Sequence, residues 1–170
     1  MLSLLRDVPD FPQPGVLFRD LTPALADADA FAELVDDLTD RSVRSAVGVD
    51  VVLGIEARGF VLGGAIARSL RLGLACARKP GKLPTVAHRA DYALEYGTAT
   101  LELPAGVLSA GQRVLVVDDV LATGGTMAAA CTLVEAAGAT VAGIAVAIEL
   151  ADLDGRARLG GYRLVTHLTL

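Results

Sequence analysis

The sequence predicts an α/β fold, with a parallel sheet of about five strands flanked by helices. Three observations predict it. Short, unbroken runs of β-branched and aliphatic residues recur along the chain, as strands buried on both faces of a parallel sheet require. Stretches with a helical hydrophobic period alternate with those runs. Glycine turns lead from a strand into a helix, where open α/β sheets bind ligands beyond the carboxyl ends of their strands. At 170 residues the whole chain, 1–170, reads as a single domain with a substantial core, without repeats, linkers or low-complexity segments.

Composition narrows the function classes. The chain is 53% hydrophobic and lacks Trp, and its net charge of −5 argues against a general nucleic-acid binder. Cys76 and Cys131 are isolated and read as reduced core thiols, while no His, Cys and Asp cluster has metal-ligand spacing. Residues 1–7 do not resemble a signal peptide. Residues 127–148 come nearest to a membrane span, but Glu135, Gly138 and an Ala-rich composition argue against one. The expected protein is soluble and cytoplasmic, with no nucleic-acid or membrane partner.

Taken in order, residues 10–22 cannot form a helix, because Pro12, Pro14 and Gly15 interrupt them. Their apolar residues, Phe11 and Phe18 among them, must pack on something, and an arm over the core is the simplest account. Residues 23–44 are predicted as one covering helix, with Phe31, Leu34, Val35 and Leu38 on one stripe. Residues 49–55 form a buried strand, and 56–70 a turn and helix that place Arg58 at a strand end, either paired with Glu56 or facing a ligand.

Residues 74–78 are a third strand. Arg78, Lys79 and Lys82 follow it around a Pro-Gly turn, and these two lysines are the only ones in the chain. Such a turn is either a solvated basic loop or a local anion contact. Across 84–103, alternation around 92–96 and 98–103 suggests two exposed strands of a lid. Glu95 and Tyr96 lie within it, with Glu95 otherwise a solvated strand residue. His88 receives no role, and His167 a structural one.

Residues 113–127 carry the strongest signal. An apolar strand, 114–117, is followed by Asp118 and Asp119 where the strand would leave the sheet. The turn Ala122, Thr123, Gly124, Gly125, Thr126 then opens a helix that ends at Gly138. Two glycines let the backbone come close, and the helix aims free amides and its positive dipole end at the same place, which suits a phosphate. Adjacent carboxylates would repel a phosphate, so sugar hydroxyls or a hydrated cation must meet them. A further strand at 141–148, ending at Glu149 and Leu150, a short helix at 151–159 and a last strand at 162–168 complete the chain.

The 113–127 stretch resembles the phosphoribosyl pyrophosphate motif of the type I phosphoribosyltransferases. The segments FPxPGVxFRD at 11–20, EARGF at 56–60, RKPGKLP at 78–84 and YxLEYG at 92–97 resemble those of the adenine phosphoribosyltransferases. The resemblance implies the type I phosphoribosyltransferase fold, with a small N-terminal hood at about 8–22 and an antiparallel lid at about 84–103. It implies that Asp118 and Asp119 hold the ribose hydroxyls and that Ala122 through Thr126 hold the 5′-phosphate. Arg58, Lys79 and Lys82 would meet the pyrophosphate, Arg58 beside a non-proline cis bond. Phe18 and Leu150 would form the two walls of an adenine pocket, with backbone groups of Leu17 and Arg19 reading the base edge. Leu150 could equally be an ordinary core leucine. Glu95 would move the adenine proton, with Tyr96 nearby in the lid. The implied cofactor is Mg²⁺ carried on the substrate diphosphate, without dedicated protein ligands, and the implied assembly a homodimer. The expected activity is transfer of a phosphoribosyl group to adenine in purine salvage. A sister transferase for a 6-oxopurine or orotate, or a non-catalytic nucleotide sensor, are the alternatives.

Overall fold

In the computed structural model, residues 2–11, 13–45, 48–93 and 98–170 are described. A two-stranded antiparallel ribbon comes first, β1 (Arg6–Pro9) and β2 (Leu17–Asp20), with Val8 opposite Phe18. Two ion pairs cross it, Arg6 to Asp20 and Arg19 to Asp7, each at 2.5 Å. Asp20 also accepts the Thr22 amide at 2.9 Å, and its bonds to Thr22 and Arg6 hold its carboxyl down at about 2. The extended segment predicted at 10–22 therefore has a partner, supplied by residues ahead of it.

Helices α1 (Thr22–Ala26) and α2 (Ala28–Ser45) replace the single helix predicted over 23–44. Asp27 between them is extended, at φ −90° and ψ 124°, and its carboxylate accepts the Ala30 amide at 2.9 Å. A side-chain cap thus starts a second helix where the hydrophobic period alone reads as one. The predicted stripe is real: Leu34, Val35 and Leu38 are buried.

The central sheet follows: β3 (Val51–Ile55), α3 (Arg58–Leu70), β4 (Gly73–Ala77), β7 (Arg113–Leu121), α4 (Gly125–Ala136), β8 (Thr140–Glu149) and β9 (Leu164–Thr169), with the hairpin β5 (Val86–Ala93) and β6 (Thr98–Pro104) inserted after β4. Its five strands run parallel in the order β4-β3-β7-β8-β9. The predicted parallel sheet of about five strands is thus present. Alternate residues of β3 and β7 face opposite ways, giving two cores. Leu53, Ile55 and Val116 pack with α4 and β6, whereas Val52, Leu115 and Val117 pack with α2 and α3. Burial on both faces explains why these strands read as continuous apolar runs.

Two other expectations need correction. The 84–103 hairpin was expected to be exposed, yet Leu101 and Leu103 are 0% and 1% exposed and belong to the core beside α4. Backbone bonds of 2.8 and 2.7 Å between Arg78 and Glu102 tie β6 to the end of β4. An apolar face on β6 therefore continues the core, and the hairpin is in part a core element. Residues 151–159 form two 3₁₀ turns, Ala151–Leu153 and Ala157–Leu159, instead of a helix. Asp154 between them is left-handed, at φ 48°, which ends the first turn. No helix among the described residues is long and apolar enough to cross a membrane.

Candidate active site

The site forms where β3 and β7 part company. β3 pairs with β7 as far as Gly54 opposite Val117, then leaves through a cis peptide between Glu56 and Ala57. β7 continues beside β8, with Asp118 opposite Val146 and Leu121 opposite Glu149. Asp118 and Asp119 therefore lie inside a nine-residue strand, and the expectation that they sit past its end is corrected. They lose one neighbouring strand but keep the other, and so are held rigidly at an open edge.

The start of α3 packs against this edge. A Cβ on Gly59 would lie 2.7 Å from the Val117 carbonyl and 2.9 Å from the Asp118 carboxylate, so only glycine permits the approach. That approach brings Arg58 to the acidic pair: its Nε donates to Oδ2 of Asp119. The same guanidinium stands over the Phe18 ring, 5.5 Å from its centroid, and Phe11 meets Phe18 edge-on at 5.1 Å. Glu56 is not the partner of Arg58. It accepts instead from Arg78 Nε at 3.1 Å and from the Lys79 amide at 2.8 Å, which lower its pKa. The pairing of Arg58 with Glu56, one of the two readings left open, is therefore not observed, and the acidic partner it has instead, Asp119, was not anticipated.

Asp118 is deeply buried. Burial, and then the neighbouring Asp119 charge, push its carboxyl well above the usual carboxylate range. Its Oδ1 accepts the Asp119 amide at 2.9 Å.

A cleft of about 640 Å³ is lined by Glu56, Arg58, Lys79, Asp118, Asp119 and Thr126, with Tyr92 and Thr100 from the hairpin on the far wall. A hollow of about 130 Å³ adjoins it, formed by Ala122, Thr123, Gly124, Gly125 and Thr126. Asp118 and Thr126 line both, so the two spaces share a wall. In the hollow, Gly124 has φ +79°, a left-handed conformation that disfavours side chains, and the first amides of α4 follow it. The arrangement can hold an anion at the turn and a polyhydroxyl or second anion in the cleft.

The remaining predicted residues distribute as follows. Lys82 is not on the cleft wall, although its charge reaches Glu56. Leu17 and Arg19 flank Phe18 on β2, and the Arg19 side chain is engaged by Asp7. Leu150 is half-buried, its amide bonded to the Leu121 carbonyl at 2.9 Å, just where β7 enters the turn. Glu95 and Tyr96 fall outside the described residues. His167, read as structural, pairs with Asp37 at 2.8 Å.

One contact went unread in the sequence. The buried Gly155 lies directly on the 122–124 turn: a Cβ there would stand 2.0 Å from the Ala122 carbonyl oxygen and 2.9 Å from the Gly124 amide nitrogen. The Asp154-Gly155 pair signals a turn, but nothing local says what that turn rests on.

Comparison with known proteins agrees with this geometry. A family model described as the phosphoribosyl transferase domain matches residues 22–161. Among curated proteins, the adenine phosphoribosyltransferase of Saccharopolyspora erythraea is 57% identical over 167 residues, covering 98% of this chain and 89% of the relative. Among solved structures, the adenine phosphoribosyltransferase of Thermoanaerobacter pseudethanolicus superposes with a TM-score of 0.94 at 41% identity, covering 99% of this chain and 97% of that one. The Saccharomyces cerevisiae enzyme, in complex with adenine and an imino-altritol bisphosphate, gives a TM-score of 0.92 at 36% identity, covering 98% and 96%.

Proposed function

The chain belongs to the phosphoribosyl transferase family, and we propose that it is an adenine phosphoribosyltransferase, transferring the 5-phosphoribosyl group of phosphoribosyl pyrophosphate to adenine with release of pyrophosphate. The observation that carries this reading is the shared wall: Asp118 and Thr126 border both the glycine-turn hollow and the cleft that holds Arg58 and Lys79. A sugar with phosphate at one end and diphosphate at the other carries its groups in this order. The adenine held by the yeast relative supports the choice of base.

In the proposed reaction the turn from Ala122 to Thr126 receives the 5′-phosphate through α4's first amides and the Thr hydroxyls. Asp118 and Asp119 receive the ribose hydroxyls. When the diphosphate leaves the anomeric carbon, positive charge develops on the ring, and the two carboxylates favour it. Lys79, Lys82 and Arg58 stabilise the departing diphosphate. Phe18 and Leu150 hold the base between them, and backbone groups of Leu17 and Arg19 read its edge. Glu95 manages the adenine proton, a role typically worth about 10²–10⁴-fold, while Tyr96 and the rest of the lid exclude water from the reactive sugar.

Among the described residues no three His, Cys, Asp or Glu side chains are grouped to hold a metal. The donor set suits a Mg²⁺ that arrives on the ligand, since carboxylates beside a diphosphate repel it unless a cation lies between. When bound, Mg²⁺ neutralises charge on the diphosphate. The proposal further includes a homodimer, supported by exposed Val61 on α3 and Leu74 on the edge strand β4, and a cytoplasmic location, supported by two free thiols.

A substrate panel tests the function. With phosphoribosyl pyrophosphate and Mg²⁺, adenine should be converted faster than hypoxanthine, guanine or orotate. Slower conversion of adenine than of any of the others would refute the assignment, and no conversion of any base would favour a non-catalytic nucleotide sensor.

A further inference from the structure

We propose that Gly155 is a positioning residue for the 5′-phosphate: its turn clamps the 122–124 loop from behind, and the absence of a side chain at 155 is what sets the shape of the anion hollow. The inference rests on the phosphoribosyl reading of that hollow. The contact is backbone on backbone in both directions. A Cβ on Gly155 would stand 2.0 Å from the Ala122 carbonyl oxygen, and one on Gly124 would stand 2.5 Å from the Gly155 carbonyl oxygen. Neither clash can be relieved by rotating a side chain, so any residue larger than glycine at either position must push the two loops apart.

The turn is itself anchored by the residues that follow it, which makes it a backstop instead of a passive neighbour. Arg156, next to Gly155, donates through Nε to the buried Glu149 carboxylate at 2.8 Å and through its second nitrogen to the other oxygen. Leu159, four residues on, is 2% exposed within the core. Glu149 ends β8 opposite Leu121, so the ion pair ties the backstop to β8, the strand paired with the end of β7 from which the loop leaves. A loop that binds phosphate through fixed amides gains from such support, because the amides need no rearrangement when the anion arrives.

The test compares Gly155→Ala, Arg156→Ala and Gly160→Ala. Gly160 lies in the same segment, but a Cβ there meets nothing closer than 3.6 Å, so it serves as the control. Binding of ribose 5-phosphate and of inorganic pyrophosphate is measured by calorimetry on the full chain, beside Tm. Gly155→Ala should weaken ribose 5-phosphate at least tenfold and pyrophosphate less than twofold, with Gly160→Ala unchanged. Arg156→Ala adds no atoms to the loop and should weaken ribose 5-phosphate several-fold, which keeps the test open if Gly155→Ala does not fold. Equal losses for both ligands, or wild-type binding by Arg156→Ala, would overturn the proposal. Failure of the wild-type chain to bind ribose 5-phosphate would instead sink the phosphoribosyl reading. The clamp would then be judged by amide exchange, which should speed up at 122–126 in Arg156→Ala and would overturn the clamp if unchanged.

Discussion

The two ends of the cleft are built by opposite means. At the phosphate end, five consecutive residues, Ala122 to Thr126, form the hollow with their backbone, between a strand buried on both faces and a helix whose inner side lies in the core. At the other end, Arg58, Lys79 and Phe18 come from three separate segments: Arg58 and Lys79 line the cleft, and the Arg58 guanidinium stands over the Phe18 ring. Arg58 remains 40% exposed even while bound to Asp119. Backbone amides in a packed turn carry no rotamer entropy and little screening. Long cationic side chains carry both. The first end should therefore behave as a rigid socket and the second as a set of movable, salt-sensitive contacts.

This contrast can be broken or sharpened by experiment. The largest effect is expected at Lys79, proposed to offer a charge to the leaving diphosphate: Lys79→Ala should lower kcat/KM by about 100-fold or more, in line with losing one stabiliser of developing charge. A decrease below threefold in steady-state assays would move the diphosphate away from this wall. Next comes Glu95→Ala, which should reduce kcat at least tenfold with little change in KM; unchanged turnover would remove Glu95 from the proposed mechanism.

Asp118 probes the rigid wall that the two ends share. Its pKa is raised in the folded chain, so the folded state holds a proton more tightly than the unfolded state does. The resulting penalty is absent below the unfolded value of about 4 and grows as pH rises from there towards the folded value. Asp118→Asn should consequently raise Tm by a few degrees at pH 7 but not at pH 4, and lower turnover at the same time. Thermal melts at the two pH values decide it, and a lower Tm at pH 7 would contradict the argument. The smallest effect should come from salt. Between about 0.05 and 0.5 M ionic strength, where the screening length falls from over 10 Å to under 5 Å, pyrophosphate affinity should drop several-fold more than ribose 5-phosphate affinity. Equal losses would erase the distinction between the two ends.

The same division governs what could be read in advance. The 113–127 stretch was legible because its strand, acidic pair, turn and helix are contiguous, and each follows from composition over a few residues. The stripe of Leu34, Val35 and Leu38 was legible for the same reason. The break at Asp27 was missed because hydrophobic period passes through it, while the cap depends on one carboxylate finding the Ala30 amide. The burial of Leu101 and Leu103 was missed because alternation marks a two-faced strand without saying whether α4 covers one face. The lid was suggested by alternation across 84–103, whereas the roles of Glu95 and Tyr96 within it came from resemblance alone and remain proposals.

By itself, the sequence determined the α/β class, the parallel sheet, the glycine turn at 122–126 and the placing of Arg58 and Lys79 at strand ends, because periodicity and turn chemistry act within one element. Only the tertiary structure decided that Arg58 binds Asp119 and not Glu56, that β7 runs on past the acidic pair, and that Gly155 presses on the loop at Ala122 and Gly124. Those contacts join segments far apart along the chain. They exist only once the sheet order has closed the distance between them, and no local pattern of side chains records that closure.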